Sequence, residues 1–173
     1  MAPRTDTFDL AALRLTAGEG RHLELEVPVE PFDLGGEPYA IEPSLVPVRL
    51  DISRMTHNGY ALRLRFEVGV RGPCMRCLEP ANPTIAIDVR DVDQPGGGEE
   101  LESPYITDQQ LDLTAWVREA LAVPLTLPKQ VLCRPDCAGL CAVCGVDLNT
   151  AGPDHAHESE PDPRWAKLRE LEL

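Results

Sequence analysis

Aromatic side chains are scarce in this 173-residue chain, at 5% of its residues. A protein that holds single-stranded bases on a row of rings is therefore a poor fit. Positive charge is scarce too. Sixteen lysines and arginines face 29 acids, for a formal net charge of −13, so the molecule as a whole repels nucleic acid and anionic membranes. Any RNA contact has to come from a local basic patch. No run approaches the ~20 apolar residues that span a bilayer. The N-terminal MAPRTDTFDLAALRL carries acids where a secretion signal is apolar, so a cytoplasmic protein is expected. A phosphate-binding glycine loop, a His-Glu-x-x-His pair and a convincing Ser-His-Asp set are also missing, which argues against the usual nucleotide and hydrolytic chemistries.

Cysteine is absent everywhere except in two clusters. Cys74 and Cys77 form the Cys-x2-Cys of CMRC, and Cys133, Cys137, Cys141 and Cys144 fall within CRPDCAGLCAVCGVDLN. In a reducing compartment such spacing means soft-metal ligands first and redox thiols second. A redox pair at Cys74 and Cys77 is disfavoured because no thioredoxin-like βαβ pattern surrounds it.

The chain reads as α+β: an antiparallel, β-rich N-terminal domain (a small barrel or sandwich-like sheet), a helix, and a C-terminal zinc-ribbon-like cysteine module. Apolar and polar residues alternate over His22–Val27, Val46–Ile52, Tyr60–Val70 and Ile85–Val89, the period-two signature of half-buried strands. Asn58-Gly59 marks a turn. Pro28, Pro31, Pro38, Pro43 and Pro47 should break the early strands and demote them to edges. Residues 1–92 form the β-rich domain in this reading and 93–107 an acidic linker. Residues 108–173 hold the helix and the cysteine module. Leu113, Trp116, Val117, Ala120 and Leu121 recur at helical spacing, with Asp112 as N-cap and Pro124 as the end. A short final helix is expected over about Pro163 to Leu171.

Zinc in a structural site takes four Cys or His ligands, and six cysteines do not divide by four. His155 and His157 in DHAHE supply the two that are missing. The pairing with the shortest loops joins Cys141 and Cys144 to His155 and His157. Cys74 and Cys77 then meet Cys133 and Cys137 and tie the strand domain to the module. The rival arrangement places the four clustered cysteines around one ion, leaving Cys74 and Cys77 free or joined to the histidines; His155 and His157, flanked by acids, also read as a solvated acidic tail. Gly145 after Cys144 suits a tight knuckle with positive φ. Leu78 after Cys77 does not, so the first pair reads as the weaker knuckle.

The run from Cys133 to Asn149 resembles the cysteine signature of the YceD family, bacterial and plastid proteins associated with accumulation of large-subunit ribosomal RNA. Cys74-Met-Arg-Cys77-Leu78-Glu79-Pro80 resembles its first cysteine pair, and Asp162-Pro163-Arg164-Trp165 its closing segment. Where many members carry Cys-x-Cys, this chain has His155-Ala-His157. Imidazole there suits zinc better than an iron–sulfur cluster. The resemblance implies a non-enzymatic ribosome biogenesis factor acting in ribosomal RNA synthesis, processing or accumulation; the two structural zinc ions are what the ligand count adds.

Charge is unevenly placed. Between Arg49 and Arg76 six arginines face two acids, a net of +4, whereas residues 88 to 112 hold eight acids and one arginine, a net of −7. Arg63, Arg65, Arg71 and Arg76 are thus candidate contacts to ribosomal RNA or a partner, although a stripe that merely solubilises a sheet face is the plainer reading. A basic ribosomal protein fits the acidic segments equally well. A zinc-ribbon-like transcriptional or protein-interaction adaptor is the alternative function. A metal-dependent hydrolase fits less well, because a closed, thiolate-rich set leaves the metal no open position.

Overall fold

The structure is a computed structural model and describes residues 5–127, 130–152 and 154–157. Ten strands and two helices follow one another: β1 (Thr7–Asp9), β2 (Gly20–Pro28), β3 (Phe32–Leu34), β4 (Glu37–Glu42), β5 (Leu45–Arg54), β6 (Tyr60–Pro73), β7 (Pro80–Ala81), β8 (Thr84–Asp93), β9 (Ile106–Thr107), β10 (Gln110–Asp112), α1 (Leu113–Thr126) and α2 (Leu148–Ala151). The expected final helix lies outside the described residues.

β6 organises the main sheet. Its alternation of Tyr60, Leu62, Leu64, Phe66, Val68 and Val70 buries one face along the whole strand. It pairs antiparallel with β5 on one edge and with β8 on the other; β2 lies beyond β5, and β4 and then β3 continue past the end of the β5 ladder. The β5–β6 turn has Asn58 in the left-handed region at φ 62, which asparagine tolerates better than most residues. Val46, Val48, Leu50 and Ile52 of β5 face the same core.

The prolines do not all mark edges. β5 carries Pro47 yet lies between β2 and β6, because its ladder to β6 begins only at Val48. Proline is tolerated where a ladder has ended. Pro124 likewise does not end α1, which runs to Thr126 with Pro124 inside its last turn. Leu121 and Leu125 on either side are both buried, and burial of that order, about 1.5–3 kcal/mol each, carries the helix through the missing donor. Asp112 caps its start, accepting from the Ala115 N–H at 2.9 Å.

Helix α1 packs against β1, β2 and β8, and its buried Leu113, Trp116, Val117 and Leu121 belong to the same hydrophobic cluster as the sheet. β1 returns from the N-terminal side to pair with β10, which pairs with β9. The segment expected as a linker is also folded onto the sheet. On β8 the inward row continues from Ile85 and Ile87 to Asp91 and Asp93, and Asp93 is buried. Ser103 answers both carboxylates: its backbone N–H donates to Asp93 at 3.1 Å and its hydroxyl donates to Asp91. Buried carboxylates need such donors, so the acidic stretch is held by its acids rather than loosened by them.

Candidate metal centres

The Cys-x2-Cys segments are two copies of one knuckle. In the first, the Cys74 N–H donates to the Glu79 carbonyl at 2.7 Å and the Leu78 N–H to the Cys74 carbonyl at 3.0 Å. In the second, the Cys141 N–H donates to the Val146 carbonyl at 2.8 Å and the Gly145 N–H to the Cys141 carbonyl at 2.9 Å. The residue after the second cysteine is left-handed in both, Leu78 at φ 65 and Gly145 at φ 73. The sequence marked the first pair as the weaker knuckle because of Leu78, yet the hydrogen-bond pattern is the same in both; Leu78 adopts an unfavourable φ within it.

Each knuckle aims backbone N–H groups at its first sulfur. Burial pushes the Cys74 thiol up, but the N–H groups of Cys77, Cys133 and Arg76 outweigh it and hold the thiol at about 6. The Cys141 thiol is also lowered to about 6, by the Cys144 N–H, then by the His155 side chain and the Val143 N–H. Such donors favour the thiolate, which is the metal-binding form. Cys77 goes the other way. The Glu79 N–H lowers it, but burial and the crowding of Cys133, Cys137 and Cys74 drive it up to about 12. Without a cation among them, neighbouring thiols cannot all ionise.

The structure gathers the eight sequence-selected residues into two groups. Cys74, Cys77, Cys133 and Cys137 form one, and Cys141, Cys144, His155 and His157 the other; within each, the donor atoms all lie within 4.8 Å of one another. The four-cysteine run is thereby divided between them. The first group is buried except for Cys133. Its sulfurs lie 3.8 Å apart for Cys74 and Cys137 and 3.5 Å for Cys77 and Cys133. A disulfide needs about 2.05 Å, and all six cysteines are free. Four sulfurs at ~2.3 Å from one tetrahedral ion would be ~3.8 Å apart. In the second group the Cys144 Sγ lies 3.5 Å from the His155 Nε2 and 3.2 Å from the His157 Nε2, and the two Nε2 atoms are 3.0 Å apart. Both donor sets thus have the size and chemistry of a closed site for a thiophilic divalent ion.

Further contacts bind the first Cys-x2-Cys segment to the C-terminal cysteine run. The Met75 N–H donates to the Val131 carbonyl at 2.9 Å and the Leu140 N–H to the Arg76 carbonyl at 3.0 Å. The Arg76 guanidinium donates to the Ala138 carbonyl at 2.9 Å. Gly139 lies so close that a Cβ there would be 3.0 Å from the Arg76 carbonyl oxygen. Asn149 of α2 is a participant that cysteine spacing could not reveal. Its Oδ1 accepts from the Ala138 N–H at 2.7 Å, and its Nδ2 donates to Asp147 at 2.6 Å and towards the Cys137 Sγ at 3.6 Å.

The candidate arginines are all engaged. Arg63 donates two bonds to Asp88, Arg65 pairs with Asp51 at 2.6 Å, and Arg71 with Glu42 at 3.1 Å. Arg63 and Arg65 share the exposed face of the sheet, as the alternation required, but β5 and β8 place carboxylates beside them.

The sequence model of the family described as "Large ribosomal RNA subunit accumulation protein YceD" matches residues 62–172, which takes in both cysteine clusters. The chain belongs to the YceD family. An uncharacterized protein of Mycobacterium tuberculosis and one of Mycobacterium bovis are each 34% identical to it over 95% of this chain and 80% of their own length. A maize protein named "Large ribosomal RNA subunit accumulation protein YCED homolog 1, chloroplastic" is 37% identical over 43 residues, 25% of this chain and 14% of the maize protein. No solved structure matches. Among the described residues of this YceD protein, no helix is long and apolar enough to cross a membrane.

Proposed function

We propose that this YceD protein is a non-enzymatic, cytoplasmic factor in ribosome biogenesis, needed for synthesis, processing or accumulation of large-subunit ribosomal RNA and held together by two structural zinc ions. The observation that carries the reading is the family match across both cysteine clusters, on a chain whose eight Cys and His donors converge in two groups of four. Four protein donors fill a tetrahedral ion's shell, so neither group offers water the open position that metal-assisted hydrolysis uses. Zinc suits a set of four thiolates and a set of two thiolates with two imidazoles alike. The ions supply cross-links in this reading, and the working surface is what they hold in place.

Direct RNA contact is the less supported half of the partner question. A phosphate approaching Arg63, Arg65 or Arg71 has to compete with Asp88, Asp51 or Glu42 for the same guanidinium. A ribosomal protein, basic as such proteins are, faces no such competition from this acidic chain. Capture from cells under mild crosslinking, followed by sequencing of bound RNA and mass spectrometry of bound protein, tests the proposal. Enrichment of large-subunit ribosomal RNA or a ribosomal protein over a control is expected, and recovery of neither overturns it. RNA recovery that survives joint neutralisation of Arg63, Arg65, Arg71 and Arg76 removes that face as the contact.

A further inference from the structure

We infer that Asn149 is the positioning residue through which the second donor group strengthens metal binding by the first. This rests on the metal reading above. The first group sets four thiolates around one divalent ion, leaving two negative charges in excess, and three of its four cysteines are buried. Buried charge of this kind is stabilised by N–H donors on the sulfurs. Cys74 receives them from its own knuckle, at Arg76 and Cys77, and from Cys133. Cys137 is fully buried and belongs to no Cys-x2-Cys turn; among the described residues the side-chain N–H directed at it is that of the Asn149 Nδ2, 3.6 Å from its sulfur.

Asn149 owes its place to the second group. It sits on the single turn of α2, inside the loop that Cys144 closes with His155 and His157. Three contacts fix the approach to that turn: the Leu140–Asp147 bridge, the bond from the Leu148 N–H to the Gly139 carbonyl at 2.9 Å, and the Asp147 cap on the Asn149 N–H at 2.9 Å. The side chain is then oriented by the Ala138 N–H on one side and Asp147 on the other. An ion in the second group orders this loop and holds the amide on Cys137. By linkage, an ion in the first group favours the same loop conformation and strengthens the second.

The test is cobalt(II) titration of the metal-stripped full chain, read by absorbance. The unaltered protein should take up two ions with separable spectra, and a chain that takes up none overturns the metal reading itself. Asn149→Ala should weaken the first group about 10- to 100-fold and move its thiolate-to-cobalt band to lower energy, leaving the band of the second group in place. Asn149→Asp keeps the shape and the Ala138 contact but sets a carboxylate against the thiolate, and should weaken the first group further. Emptying the second group with His155→Ala and His157→Ala should weaken the first in the unaltered background and add nothing to Asn149→Ala. Two bound ions with unchanged affinity and band in both Asn149 variants overturn the inference. If neither variant folds, NMR of the unaltered protein loaded with spin-active cadmium decides: scalar coupling from the ion to the Asn149 side-chain amide supports it, and no coupling overturns it.

Discussion

At the scale of single residues, the two knuckles are a natural controlled comparison. Leu78 and Gly145 occupy the same position in the same turn, with φ of 65 and 73. A left-handed conformation costs a residue with a Cβ roughly 1–2 kcal/mol, whereas glycine instead gives up more entropy on folding, about 0.4–1 kcal/mol. Leu78 is 64% exposed, so little packing is lost with its side chain. Leu78→Gly should therefore stabilise the protein by about 0.5 kcal/mol. At Gly145 a Cβ would meet nothing within 4 Å, so strain alone acts, and Gly145→Ala should cost about 1 kcal/mol. Denaturant unfolding of the metal-loaded protein measures both. If the two substitutions shift stability in the same direction, the knuckles are not energetically equivalent and the comparison fails.

At the scale of elements, the outer face of the sheet is an ion-pair lattice. His22, then Arg65, hold the Asp51 carboxyl below the usual carboxylate range, and Arg63 does the same for Asp88. The folded value is depressed in both, so the contribution to stability is full above the ordinary carboxylate range. As pH falls through that range the unfolded chain takes up protons first, and the contribution fades until the folded carboxyls are protonated too. Melting temperature should decline between about pH 5 and pH 2, and less steeply in Asp51→Asn and Asp88→Asn. The effect is modest because these pairs are half exposed and screened by solvent. Variants with the same acid slope as the parent would show that the pairs contribute nothing. This lattice also marks how far the sequence was legible. The alternation in β6 put Arg63 and Arg65 on one face, but the cross-strand register that sets Asp51 and Asp88 beside them is a long-range property no local pattern encodes. β1, β9 and β10 are two or three residues long, too short for a period to show. The acidic stretch read as a linker because Ser103 meeting Asp91 and Asp93 leaves no trace in hydropathy. The two groups of Cys and His were legible because their spacing is local and a tetrahedral ion calls for four donors, whereas Asn149 lies against a sulfur twelve residues away through a fold.

At the scale of the whole molecule, the two donor groups differ in what they join and how deeply they lie. The first brings Cys74 and Cys77, between β6 and β7, onto Cys133 and Cys137 beyond α1, closing loops of more than fifty residues, and all but Cys133 are buried. The second closes a short loop, with Cys144 exposed and Cys141 half-buried. Access of a competing ligand follows exposure, and cross-link stabilisation grows with loop length. On the proposal that both hold zinc, a chelator should remove the ions in two steps, the second group releasing first. The first step should leave the far-ultraviolet circular dichroism and the melting of the sheet nearly unchanged. The second should free the chain beyond α1 and lower the melting temperature by several degrees, while the core between the sheet and α1, which contains no metal ligand apart from the buried cysteines at its rim, stays folded. Replacing His155 and His157 with alanine should abolish the first step and retain one ion, held by the first group and released somewhat faster than in the parent. Metal release followed with a colorimetric indicator, alongside circular dichroism, reads both steps. Two ions that leave together at one rate, or a histidine variant that keeps both, would mean that the two groups are not cross-links of unequal depth.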